Sequence, residues 1–240
     1  MEAKPARRSI FAAIVLGTML VVAQFSARSA LADAGDDQYA VAAGQYARQR
    51  WPLAIEEFEA FLADYSDHSR AGSARFFLAE ALVHTERYAD ARTRFREYIA
   101  EQPDGQHVRH AKFRAAEAAY LLGEREDALR ELEAFRRQHK DDELNAYVLT
   151  YLGDLALADK DHAGANKLYA ESIERFPEGP LVDDCRYGLA RSFQEQGAYD
   201  QAEPIFKALA EQRDHALADE SQFQLGACRY SAGDYAGADT

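Results

Sequence analysis

Small and large apolar residues return along this chain in one fixed phase. Ala54, Ala91, Ala128, Ala165, Ala202 and Ala238 stand 37, 37, 37, 37 and 36 residues apart. Four residues after each of the first five comes Phe58, Phe95, Leu132, Tyr169 or Phe206, and three residues before the six comes Trp51, Tyr88, Arg125, His162, Tyr199 or Tyr235. Thirteen residues before each alanine stands Val41, Leu78, Ala115, Leu152, Leu189 or Leu225, followed by Ala42, Ala79, Ala116, Gly153, Ala190 or Gly226. Spacings of three and four put apolar side chains on one face of a helix. A small residue at a crossing lets two such helices approach closely. Each period therefore predicts a helix, a tight turn and a second helix. Gly123, Gly197 and Gly233 supply the left-handed exit of the first helix, and Pro103 and Pro177 stop the second.

A fixed period of this kind is the mark of a stacked repeat array rather than of a single globular core. The pattern of apolar–small pair, turn glycine, aromatic, alanine, second aromatic and proline resembles the tetratricopeptide repeat. The unit here is three residues longer than the usual 34, and the surplus falls in the link between hairpins, as in Tyr65-Ser66-Asp67-His68-Ser69. The resemblance implies an all-α, right-handed α-solenoid over residues 35–240. The hairpins are expected at 35–70, 72–108, 109–145, 146–182 and 183–218, with an incomplete sixth at 219–240. The last alanine lies only two positions before Thr240, so a longer reading frame with more repeats or another domain is expected, a frayed end being the alternative. Pro52 sits in the first turn of its helix, where a missing N–H costs nothing. Pro204 is expected to delay or bend its helix and to make the fifth hairpin the least ideal.

Ala74-Arg75-Phe76-Phe77-Leu78-Ala79-Glu80-Ala81-Leu82 and Tyr88-Ala89-Asp90-Ala91 look like the bacterial cell-envelope branch of that family. This branch includes the cell division coordinator associated with the Tol-Pal system and a tetratricopeptide lipoprotein of outer-membrane assembly. The first residues agree with export. Lys4, Arg7 and Arg8 precede an apolar run from Ile10 to Ala23, and Ala30-Leu31-Ala32 follows. Residues 1–32 therefore read as a signal peptide cleaved near Ala32, with a second possible cut after Ala34. An uncleaved anchor is the alternative, although the run is shorter than the roughly 20 apolar residues of a spanning helix. No cysteine lies near the cut, so lipid attachment is not available there.

The whole chain carries a formal charge of −13. Residues 1–32 hold one acid, Glu2, against Lys4, Arg7, Arg8 and Arg28, so the remainder is near −16. Such a surface disfavours nucleic acid and anionic membranes. Export would place Cys185 and Cys228 in an oxidising compartment, but they stand seven residues apart in repeat register. On parallel helices that is roughly 10 Å along the axis, beyond the 4.4–6.8 Å that a disulfide tolerates. Two unpaired, mostly buried thiols are expected.

No nucleophile elbow, phosphate loop or His-Glu-x-x-His pair occurs. His107 and His110 are three residues apart, a spacing able to share a metal, but no cysteine or clear carboxylate accompanies them. The seven histidines read as surface residues, and neither a metal nor a cofactor is expected. Asp36-Asp37, Asp141-Asp142 and Asp183-Asp184 read as charges favoured at helix starts.

The resemblance implies instead a binding surface on the inner wall formed by the first helices. Its expected aromatics are Tyr39, Tyr46, Phe76, Phe77, Phe113, Tyr120, Tyr151 and Tyr187. Glu80, Glu117 and Asp154 form an expected acidic stripe, joined by Arg191. Such a groove would take an extended or helical protein segment with apolar anchors and basic charge. It would repel a terminal carboxylate. The expected function is an exported, non-enzymatic scaffold for protein–protein interactions in the periplasm or at the outer-membrane periphery. It would take no small-molecule substrate and would touch the membrane only through an uncleaved signal. The alternative is a docking arm of a larger enzyme or secretion component whose active domain lies beyond residue 240.

Overall fold

The structure, a computed structural model, describes residues 34–212 and 216–238. The expected signal peptide at 1–32 and His215 lie outside the described residues. Helix α1 covers 34–47. It is followed by α2 (Trp51–Asp64), α3 (Ala71–His84), α4 (Tyr88–Glu101), α5 (Val108–Leu121) and α6 (Arg125–Gln138). Then come α7 (Asn145–Ala158), α8 (His162–Arg175), α9 (Val182–Glu195), α10 (Tyr199–Ala210), α11 (Ala218–Ala232) and α12 (Tyr235–Ala238). No strand occurs among the described residues, and the fold is all-α helix hairpins in series. No helix among them is long and apolar enough to cross a membrane.

The turn inside each hairpin is one device repeated six times. Gln49, Glu86, Gly123, Lys160, Gly197 and Gly233 take left-handed φ values of 57, 59, 71, 61, 75 and 87°. The amide of the next residue reaches back five positions, as in Arg87 to Leu82 O at 3.0 Å and Glu124 to Ala119 O at 2.9 Å. These are the bonds of a Schellman helix end. Glycine occupies three of the six positions. The others accept a side chain where it is strained.

The links between hairpins hold the surplus residues, and four of them lie wholly within the described residues. Each of these four is a pair of successive four-residue turns: His68 N–H donates to Tyr65 O and Ala71 N–H to His68 O, and Gly105, Val108, Asp142, Asn145, Gly179 and Val182 repeat the scheme at 2.9–3.2 Å. Pro103 and Pro177 follow the ends of α4 and α8. The same turn forms where Ser66 and Lys140 replace them, so the prolines reinforce this stop rather than create it.

The chain divides into two compact units, Met1–Ala111 and Lys112–Thr240. In both, the period alanines sit at the closest packing: Ala54, Ala91, Ala128, Ala165 and Ala202 are wholly buried. On the second helices the residues four and seven positions later are buried with them. These are Phe58 and Phe61, Phe95 and Tyr98, Leu132 and Phe135, Tyr169 and Ser172, and Phe206 and Leu209. Each large side chain removed from water contributes about 1.5–3 kcal/mol.

In the first unit the core is aromatic. Tyr39 packs on Phe58 and Phe61 at 6.0 and 5.6 Å between ring centres, and Phe76 on Phe95 and Tyr98 at 5.8 and 5.9 Å. The second unit mixes sizes. Phe113, Leu132, Phe135, Val148 and Leu152 form one cluster, and Ala190, Phe206, Leu225 and Cys228 another. Between them, Ala165, Tyr169 and Cys185 form a third. Cys185 and Cys228 are both buried and unpaired. Cys185 Sγ lies 3.0 Å from Thr150 Oγ1, and burial raises its pKa.

The delayed start expected at Pro204 is not found. Helix α10 starts at Tyr199, the same phase as its counterparts, with Pro204 inside it. Ala202 N–H still bonds to Ala198 O at 3.2 Å. The proline leaves the start intact, and α10 is shorter at its other end, with 12 residues against 14 in α8.

Candidate functional site

The first helices α1, α3, α5, α7, α9 and α11 carry the residues expected to face a partner. The structure separates those residues into two groups. Phe76 and Phe113, expected on the wall, are buried at 5% and 2% exposure. Phe113 packs on Phe135 and Tyr147 with ring centres 5.9 and 5.7 Å apart. Phe113 thereby reaches the next hairpin, while Phe76 packs on Phe95 and Tyr98 of its own. Tyr39, Tyr46, Phe77, Tyr120, Tyr151, Tyr187 and Arg191 remain partly exposed.

The acidic stripe also changes meaning. Glu80 and Glu117 are buried at 6% and 7% exposure. Helices α5 and α7 exchange a reciprocal pair of hydrogen bonds. Tyr120 Oη on α5 donates to Asp154 Oδ2 on α7 at 2.7 Å, and Tyr151 Oη on α7 donates to Glu117 Oε1 on α5 at 2.9 Å. The two tyrosine rings stack at 4.4 Å and 21°. Arg114 adds an ion pair to Glu117 at 2.6 Å, and Tyr169 Oη donates to Asp154 Oδ1 at 2.6 Å. Glu117 and Asp154 therefore have their oxygens filled from within the protein.

Burial raises the Asp154 pKa, the two tyrosine donors working against it. Burial and the neighbouring carboxylates push the hydroxyls of Tyr120, Tyr151 and Tyr169 well above the ordinary tyrosine value. All three stay protonated donors.

Tyr169 explains two glycines. A Cβ on Gly153 or on Gly188 would lie 2.5 Å from an atom of its ring. Gly153 was legible as the small residue of its repeat. Gly188 stands at a position with no such pattern, and only the structure shows that it admits the same ring.

Further along, Tyr187 Oη donates to Glu220 at 3.1 Å, Gln224 donates to the same carboxylate, and Arg191 pairs with Glu195 at 3.1 Å. Together these donors hold the Glu220 pKa low. Phe223 and Tyr230 of α11 are exposed at 69% and 64%.

In the first unit, Tyr46 joins Trp51 and Phe77 at 5.2 and 5.1 Å. Two stacks escaped sequence reading: Trp51 on His84 at 4.0 Å and 7°, and Phe76 on His107 at 4.3 Å and 9°. His107 is thus a packing residue, and burial first, then His110, lowers its pKa. No cluster able to hold a metal ion occurs among the described residues.

Two family models match the sequence. One, described as a tetratricopeptide repeat-like domain, covers residues 9–183, and another, described as a tetratricopeptide repeat, covers 156–222. No curated protein matches the chain. Among solved structures, a tetratricopeptide repeat protein from Parabacteroides merdae superposes with a TM-score of 0.67 at 14% identity, over 86% of this chain and 76% of that one. BtubC from P. vanneervenii gives 0.62 at 18% identity over 83% and 87%. YrrB, described as a tetratricopeptide protein with an unusual peptide-binding site, gives 0.57 at 17% identity over 75% and 88%. At these identities the likeness is one of fold.

Proposed function

Because the chain belongs to the tetratricopeptide repeat family, we propose that it is an exported, non-enzymatic scaffold that holds protein segments on the first helices of its units. The observation that carries this reading is the set of partly exposed aromatics on the first helices of each unit, Tyr46 and Phe77 in one and Tyr120, Tyr151 and Tyr187 in the other. The tyrosines of the second unit are anchored through their hydroxyls to carboxylates. Their ring faces are thereby held in place, which lowers the entropic cost of binding an apolar side chain. YrrB, of similar fold, has a peptide-binding site.

The partner is an apolar segment with basic charge. The basic preference rests on the overall charge of −13, which attracts cations at long range, and not on Glu117 and Asp154, whose oxygens are occupied. The basic and apolar start of the chain supports export, and with it a place in the periplasm or at the outer-membrane periphery. Tol-Pal-linked division or outer-membrane assembly is the expected setting.

Photocrosslinking residues placed at Tyr46, Tyr151 and Tyr187, with Thr93 as the control on a second helix, test the binding face. Capture of a common set of envelope proteins from the first three sites and not from Thr93 is the expected result. Equal capture from Thr93 would remove the first-helix face as the site. Fusing residues 1–40 to alkaline phosphatase tests export separately, and an inactive fusion would overturn it.

A further inference from the structure

The second helices α6 and α8 and the link 139–144 of the second unit enclose an open cleft of about 430 Å³ lined by Glu133, Arg136, Arg137, Lys140, Asp141, Glu171 and Arg175. The size is that of a site for a small ligand or a few residues of a peptide. Its cations are placed, not scattered. Glu171 bridges Arg136 at 2.5 Å and Arg175 at 2.8 Å, and Arg175 also donates to Lys140 O at 2.6 Å. These bonds hold two guanidinium groups at the cleft wall. Arg137 is 68% exposed and only 3.8 Å from Glu133, and Lys140 is exposed with its ammonium in no ion pair among the described residues.

The repeat register shows that this charge is peculiar to one place. Where Arg136 stands, the other hairpins have Leu62, Ile99, Ile173 and Ala210. Where Arg137 stands they have Ala63, Ala100, Glu174 and Glu211. Lys140 corresponds to Ser66, Pro103 and Pro177, and Arg175 to Asp64, Glu101, Gln138 and Gln212. Complementing the negative end of a helix would favour cations at every one of these ends. Among the described residues only this interface gathers them, in a chain of net charge −13.

We infer that this cleft is a second interaction surface, on the second-helix side, that docks an acidic peptide segment of a partner. Arg136 and Arg175 present fixed donors and Arg137 and Lys140 supply mobile charge to carboxylates. Four cations face three carboxylates, Glu133, Asp141 and Glu171, at the cleft, and this modest cationic excess selects short acidic stretches rather than long polyanions. The surrounding acidic surface repels such a segment elsewhere, which fixes where it docks more than how tightly it binds.

Fluorescence anisotropy with a labelled oligoglutamate peptide, on the full chain at low ionic strength, tests this surface independently of the first-helix face. The Arg137→Glu/Lys140→Glu variant leaves the Arg136–Glu171–Arg175 bridge in place, and an unchanged circular dichroism melt shows that it folds. Saturable binding that weakens at least tenfold in this variant, and not in Arg94→Glu, is the expected result. Equal affinity in wild type and variant, non-saturable binding, or tighter binding of oligothymidylate than of oligoglutamate would overturn the proposal.

Discussion

Tyr169 sits where three constraints meet. Its ring fills the space above Gly153 and Gly188, its hydroxyl bonds to Asp154, and none of the residue is exposed. Replacing either glycine by alanine forces the ring aside and is expected to cost about 1–3 kcal/mol, read as a lower urea midpoint. Part of that loss should return when Tyr169→Leu is added, and an unchanged midpoint in Gly188→Ala would contradict the packing. Asp154 makes a pH-dependent contribution. Its folded pKa is raised, so the native state holds a proton that the unfolded chain has released. Stability therefore falls as pH rises from about 4, the ordinary aspartate value, through the folded value. The difference in urea midpoint between wild type and Asp154→Asn should change over that interval in the direction that disfavours wild type at higher pH. A difference that moves the other way would show that the tyrosine donors outweigh burial.

At the scale of the hairpin, the left-handed turn position separates what the residues state from what they conceal. Gly123, Gly197 and Gly233 announce it, because glycine takes positive φ at no steric cost. Gln49, Glu86 and Lys160 hold the same conformation at φ 57, 59 and 61°, and only the 37-residue register reveals them. Glu86→Gly and Lys160→Gly are expected to stabilise by about 0.5–1 kcal/mol, and Gly123→Ala to destabilise by about 1 kcal/mol, with thermal midpoints as the measure. A loss of stability in both glycine variants would show that chain entropy outweighs the relief of strain. The same division holds at the candidate site. Periodicity placed Tyr46, Phe77, Tyr120, Tyr151 and Tyr187 on the first helices and gave the alanine crossings. It could not show that Phe76 and Phe113 turn into the core, nor that Glu117 and Asp154 accept hydrogen bonds from tyrosines 34 residues away. Those outcomes depend on the rotation of one hairpin against the next, which a repeat pattern leaves undetermined. The cationic cleft was legible only as a departure from the repeat, in the arginine that stands where Leu62, Ile99 and Ile173 stand elsewhere.

Within each unit, the helices that pack closely among the described residues are neighbours in order or stand one hairpin apart, as α7 with α9 and α5 with α7 do. Hydrogen bonds between hairpins also join residues about one repeat apart, such as Tyr120 to Asp154 and Arg136 to Glu171. A molecule bonded in this way has stability that is a sum of hairpin and nearest-interface terms, so a defect acts locally before it acts globally. Gly188→Ala places its strain against Tyr169, among the α7, α8 and α9 packing. Native-state hydrogen exchange of this variant should therefore show faster exchange in α7 to α10, by roughly ten- to a hundredfold for a loss of about 1.4–2.8 kcal/mol. The amides of α2 to α4 should keep their wild-type rates wherever they exchange by local opening. Strain introduced at one interface cannot weaken bonds that share no residue with it unless the whole chain unfolds in a single step. Uniform acceleration across all helices would establish such a step and would rule out the nearest-neighbour description for this protein.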